Sequence, residues 1–182
     1  PVANSLVPKV DKRVELLSIV FRLARPNEFD SELNGGYSKA IASHFNQYAQ
    51  HSLITYFNLV ADSLKKRGTE IAYWDVLALA AHLTQPPALE PVVPFNSVPP
   101  DGWDNRILFM PKLVRLLQQF YRDAHCEAFF ATQQAYYQAV NQEYERKGVK
   151  LTKTWFDQFF GLKTTENYYA IVGISSREGA YL

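Results

Sequence analysis

The sequence predicts a mainly α protein, a helical domain of about seven helices with one or two short strands at its C-terminal end. Three observations carry that expectation. Apolar residues recur at helical spacing along most of the chain. Hydrophobic residues make up 47% of the sequence. A two-residue period replaces the helical one only near the end, over Asn167 to Ile174. At 182 residues the chain is long enough for one domain with a sizeable core.

In chain order, Asp11 is a good N-cap for a helix running to about Arg25, with Glu15 in its first turn, Arg22 and Arg25 near its end and Pro26 stopping it. Its polar positions, Asp11, Glu15, Ser18, Arg22 and Arg25, form one narrow stripe, and the remaining face is broad enough to place the helix mostly inside the core. After a Gly35-Gly36 break, Tyr37, Ile41, Phe45 and Tyr48 mark a second helix. Ser52 caps a third, which carries Leu53, Phe57, Val60 and Leu64 and is closed by Gly68. Residues Ala72 to Leu83 have almost no polar face and read as a central buried helix.

Six of the ten prolines then fall between Gln85 and Asn105, which forbids helix and favours an extended connector over residues 86–105. On that reading the single domain 1–182 has two lobes, 1–85 and 106–182. Leu113, Leu116, Leu117, Phe120 and Tyr121 mark the next helix, and Phe129, Phe130, Tyr137, Val140 and Tyr144 one more, ending before Gly148. A short helix from Thr154 to Phe160 ends at Gly161. The Asn167 to Ile174 strand is apolar on both faces and needs a partner, for which Leu6 to Val10 or the Gly179 to Tyr181 segment is available.

Charge and composition exclude several classes. Nineteen basic against 18 acidic residues give a net charge near +1, and the cations are scattered, so no phosphate-tracking surface for nucleic acid is expected. Lys65-Lys66-Arg67 sits where a helix ends and complements its exposed carbonyls. No apolar run reaches the roughly 18 residues a membrane span needs, so the expectation is a soluble chain without a transmembrane segment. The start at Pro1 and the finish on Ala180-Tyr181-Leu182 read as a piece of a longer protein.

The chemistry-bearing residues do not assemble into a motif. A zinc peptidase helix needs two His four residues apart with a Glu beside the first. His44 and His51 are instead seven apart, about 10 Å along a helix, and His125 and Glu127 point to different faces. His82 stands alone on the buried helix and reads as a core histidine. Asp123 and Glu127 share a helical face but are an ordinary carboxylate pair. Cys126, the one cysteine, reads as a small buried residue. Gly35-Gly36 lacks the spacing of a phosphate loop. No catalytic, cofactor-binding or metal residue is therefore assigned. The aromatic residues from Phe120 to Tyr169 read first as packing, and second as a cleft for peptide or glycan.

Several segments together resemble a family. They are Val10-Asp11-Lys12-Arg13-Val14-Glu15-Leu16-Leu17-Ser18-Ile19-Val20-Phe21-Arg22-Leu23, His51-Ser52-Leu53-Ile54, Ala80-Ala81-His82-Leu83, Phe120-Tyr121-Arg122-Asp123, Phe129-Phe130 and Trp155-Phe156-Asp157-Gln158-Phe159-Phe160-Gly161. In this order they resemble a bacterial domain-of-unknown-function family of exported proteins, whose members carry an H-E-x-x-H motif elsewhere and are regarded as zinc metallopeptidases. The resemblance implies an exported protein in which these residues form the non-catalytic N-terminal helical portion, with zinc belonging to a longer parent. No zinc ligand or catalytic Glu is carried over onto any residue here. The alternative is a stand-alone helical module that binds a partner protein or a glycan. The periodicities lead to one direct expectation: far-ultraviolet circular dichroism shows helix in roughly half the residues or more, above the usual third, and a strand-dominated spectrum would refute the architecture.

Overall fold

Asp11 starts the first helix by the route its short carboxylate allows. In the computed structural model, which describes residues 9–26, 35–66, 68, 79–94, 110–146, 153–161 and 171–174, Asp11 Oδ1 accepts the Arg13 N–H at 2.8 Å and so satisfies one of the first-turn donors. Helix α1 spans Lys12–Ala24, and the N–H of Arg25 closes it on the Phe21 carbonyl. The fold is mainly α. It continues through α2 (Gly35–Phe45), a 3-10 turn at Asn46–Tyr48, α3 (Ser52–Lys66), α4 (Met110–Asp123), α5 (Cys126–Thr132), α6 (Gln134–Arg146) and α7 (Lys153–Phe160). Two short strands, β1 (Lys9–Val10) and β2 (Ile171–Val172), pair in parallel with Val10 opposite Val172. The expected Leu6 to Val10 partner is used at Lys9–Val10; residues 6–8 and 167–170 and the other candidate partner, residues 179–181, lie outside the described residues. No helix among the described residues is long and apolar enough to cross a membrane.

Helix α1 is the centre of the packing. It lies on α2 and α3, α3 lies on α4, α4 on α5, α5 on α6, and α6 returns to β1. Leu16, Leu17, Ile19, Val20 and Phe21 are buried, and one hydrophobic cluster joins them to Ile41, Phe45, Leu53 and Phe57 and, from the other side of the proline-rich stretch, to Leu117, Phe120 and Phe130. Rings meet edge to face across the interfaces, as Phe21 does with Phe57 at 5.9 Å and Phe45 with Phe129 at 4.8 Å, the geometry that aromatic quadrupoles favour. Leu79, Ala80 and Leu83 are buried in the same cluster, in keeping with the apolar Ala72 to Leu83 pattern, whose residues 72–78 lie outside the described residues.

Several expectations are corrected. The polar stripe of α1 does not face solvent at its middle: Glu15 and Ser18 are both 0% exposed. Ser18 spends its hydroxyl on the Val14 carbonyl one turn back, at 2.7 Å, which hides its polarity. Gly35 and Gly36 form the first turn of α2 and do not interrupt the chain before it. His51, not Ser52, caps α3, because its Nδ1 accepts the Leu53 N–H at 3.1 Å. The aromatic stretch after Cys126 is two helices with Gln133 between them. His125, held at a left-handed φ of 50°, breaks the chain between α4 and α5, so Asp123 and Glu127 do not share a helical face.

The start of the proline-rich stretch is folded back rather than extended. Leu83 and Pro91 form an antiparallel bridge, the Thr84 N–H donates to the Glu90 carbonyl at 2.7 Å, and the loop inserts a fully buried Leu89 into the core. Gln118 of α4 holds that loop through the Ala88 carbonyl at 2.8 Å. The rest of that stretch, residues 95–105, lies outside the described residues. Two glycine terminations occur as the sequence indicates: Gly68 and Gly161 have φ of +76° and +66° and end α3 and α7. Because Leu17 is 2% exposed in the middle of α1, Leu17→Ala is expected to cost about 2–5 kcal/mol in urea denaturation; a loss under about 0.5 kcal/mol would be a surface-type value and would remove α1 from the core.

Candidate functional site

The carboxylate of Glu15 is the most unusual group among the described residues. Three elements converge on it. Helix α2 brings Tyr37, whose hydroxyl donates to Glu15 Oε2 at 2.8 Å. The segment after β2 brings the Ile174 N–H, which donates to Oε1 at 2.6 Å. Helix α6 brings Tyr137, whose hydroxyl lies 2.6 Å from that of Tyr37. Tyr37 has one hydroxyl proton and gives it to the carboxylate, so Tyr137 is the donor in the second bond. The result is a one-way relay, Tyr137 to Tyr37 to Glu15, among buried residues.

Surroundings set the electrostatics. Burial pushes the Tyr37 hydroxyl far above the ordinary tyrosine range, and the nearby Glu15 charge and Tyr137 push it further. Tyr137 is raised by burial and by the same carboxylate, and Tyr136, at the surface edge of the cluster, is raised by the same two causes. Aromatic faces close the walls: the Tyr37 ring lies 5.4 Å from Tyr136 and 6.2 Å from Phe129. Arg22 reaches Ser38 at 3.3 Å beside this group. The buried carboxylate, met by a hydroxyl and an amide donor, joins α1 to α2 and to the segment after β2.

The residues singled out by sequence are placed elsewhere, and most are engaged by the fold. His44 Nε2 lies 2.8 Å from the Ala124 carbonyl, an acceptor, so that nitrogen carries the proton. His51 uses both ring nitrogens: Nδ1 accepts from the Leu53 N–H and Nε2 donates to Asp123 Oδ2 at 3.3 Å. That bond, with one from Gln119, holds the exposed Asp123 carboxyl below its usual range. His82 is half-buried in the turn that precedes the Leu83 bridge. Cys126 is fully buried and its thiol is pushed up to about 12 by burial, so it stays protonated and unreactive. Glu127 accepts a short hydrogen bond from the Tyr121 hydroxyl and pairs with Lys12 at 3.7 Å.

A second polar knot sits at the start of α1. The Arg13 guanidinium grips Asp11, at 2.6 Å for the closest pair, and also donates to the Leu83 carbonyl at 2.7 Å. Burial pushes the Asp11 carboxyl up, but the hydrogen bonds and charge of Arg13, with help from Gln85, outweigh it and leave the group below the ordinary value. This clamp fixes the proline-containing loop to α1.

Zinc, which the family resemblance implies for a longer parent, does not fit the described residues. A structural or catalytic site needs about three or four converging protein ligands. No group of three or more His, Cys, Asp or Glu among the described residues is disposed to hold an ion, and the nitrogens of His51 and the Nε2 of His44 are already spent. Compared with known proteins, the chain matches no protein-family model, no curated protein and no solved structure.

Sequence reasoning missed Glu15, Tyr37 and Tyr137 as a unit. A Glu at the first turn of a helix is ordinarily a dipole-complementing surface residue, and this one also continues the polar stripe of Asp11 and Ser18; the apolar Val14, Leu16 and Ile19 beside it are the one local sign of burial. The raised tyrosines have a pH consequence. In the unfolded chain Tyr37 and Tyr137 ionise near the ordinary value of 10.0, whereas in the fold they do so only well above it. Their stabilising contribution is thus complete below pH 10.0 and is lost as the pH rises beyond it. Alkaline titration followed by tyrosinate absorbance is expected to show part of the eleven tyrosines ionising only together with loss of helical ellipticity. Complete ionisation with the helices intact would contradict the buried relay.

Proposed function

We propose that this chain is a non-catalytic helical portion of an exported bacterial protein of the zinc-metallopeptidase-like kind, a rigid body that supports a metal centre held by residues outside it. The observation that carries this reading is the use of the histidines. His51 caps α3 with one nitrogen and ties it to α4 with the other, while His44 fastens α2 to the turn after α4. Side chains that would be ligands in a peptidase centre act here as joints between helices. The buried carboxylate is used in the same way, on a hydroxyl and a backbone amide. The resemblance of the ordered segments supplies the class, and the mainly α architecture is compatible with a supporting role.

One observation favours a second reading, a stand-alone module for a protein or glycan partner. Trp155 and Phe159 stack on each other at 5.1 Å and 13° on α7, and they are 45% and 67% exposed. Large exposed rings of this kind are enriched where proteins meet partners.

The first reading is tested on the chain itself. After exposure to equimolar zinc and desalting, elemental analysis is expected to find far less than one zinc per chain, and a casein digestion assay is expected to show no hydrolysis. Retention near one zinc per chain that is lost in His82→Ala, or peptidase activity, would overturn it.

A further inference from the structure

Among the described residues the β1–β2 ribbon pairs two residues on each strand, and a two-stranded ribbon by itself is at best marginally stable in water. What seats it are groups from helices. The Val10 N–H donates to Asn141 Oδ1 of α6 at 2.9 Å, and the Ile174 N–H donates to Glu15 Oε1 at 2.6 Å. Between them the Asp11 N–H reaches the Val172 carbonyl at 3.4 Å. Val172 and Ile174 then turn their side chains into the protein, where both are buried. Side-chain acceptors thus serve donors that neighbouring strands would serve in a larger sheet.

The Glu15 bond differs from the others in kind. Its acceptor is a carboxylate with no exposure to water, so the bond is strong while it exists and leaving the carboxylate without donors is costly. Its second oxygen is held by Tyr37, which Tyr137 holds in turn. The backbone at Ile174 is therefore connected through one carboxylate to α2 and α6, neither of which is the ribbon's own strand partner.

We propose that residues 171–174 form a strap, seated on the helical body by the Glu15 carboxylate and able to open as a unit while the helices stay folded. Seating depends on an acceptor facing the Ile174 N–H, a donor that cannot reverse. The hydroxyls of Tyr37 and Tyr137 can reverse. Glutamine at position 15 therefore keeps the strap seated, by offering its oxygen to Ile174 and its amide N–H to a turned Tyr37 hydroxyl. Methionine, of similar length but with no comparable acceptor, does not.

Amide hydrogen exchange reads this residue by residue, since local opening exposes its own amides without global unfolding. In Glu15→Met the Ile174 and Val172 amides are expected to exchange on the order of tenfold or more faster than in the unaltered chain, with α3 and α4 unchanged. Glu15→Gln is expected to restore most of that protection, an outcome that mere filling of space at position 15 would not distinguish from methionine. Ile174→Pro removes the donor and leaves Glu15 in place; it is expected to speed exchange at Val172, Gly173 and Asp11, whose N–H meets the Val172 carbonyl, and to leave the helices unchanged. Unchanged exchange at Ile174 in Glu15→Met would overturn the proposal. So would a rise of equal factor in every helix, and so would loss of helical protection in Ile174→Pro, which also decides the matter if Glu15→Met does not fold.

Discussion

A carboxylate with no access to water constrains everything around it. Taking an ionised group out of water costs several kcal/mol even after relaxation, and the only recovery is for fixed donors to meet each oxygen. Glu15 meets a hydroxyl from α2 and an amide from the segment after β2, and a second hydroxyl from α6 stands behind the first. Helices that would otherwise pack by interchangeable apolar contacts are thereby held to one mutual arrangement. The apolar cluster supplies the bulk of the favourable free energy, and the carboxylate selects among the ways of obtaining it.

The same economy runs through the other polar groups inside the fold. Asp11 and Arg13 fasten the proline-containing loop by way of the Leu83 carbonyl, His51 joins the start of α3 to the end of α4, and Asn141 joins α6 to β1. Arg13 and Asn141 each finish the backbone hydrogen bonding of another element, and His51 caps α3 while its other nitrogen holds the Asp123 side chain of α4. Among the described residues, side chains of types associated with catalysis act as fasteners between elements.

What was legible in the sequence followed from local rules. The N-cap at Asp11, the glycine terminations at Gly68 and Gly161, the apolar faces of α1, α3 and α4 and the change of period before Ile174 all depend on residues within a turn or two of each other. Such features are set by backbone sterics and by spacing, and they are readable without knowing what lies opposite. That separate helices carry Tyr121 and Phe129 was legible, but the position of the break at His125 was not, because a left-handed histidine carries no glycine to announce it. The cap by His51 was hidden for a similar reason: histidine is an uncommon cap, and the adjacent Ser52 carries the stronger signal.

The amino-acid sequence by itself determined the class of this protein, mainly α, along with most helix limits and most of the residues that fill the core, since periodicity and burial are one property seen twice. Only the tertiary structure decided what the polar residues among them are for. Glu15 and Tyr37 are 22 positions apart, Tyr37 and Tyr137 100, and Glu15 and Ile174 159. A hydrogen bond is fixed to within a few tenths of an ångström and a few tens of degrees, and no pattern along the chain encodes that geometry across such separations. It arises when the helices pack, and a carboxylate that looked like a surface charge becomes the point on which they meet.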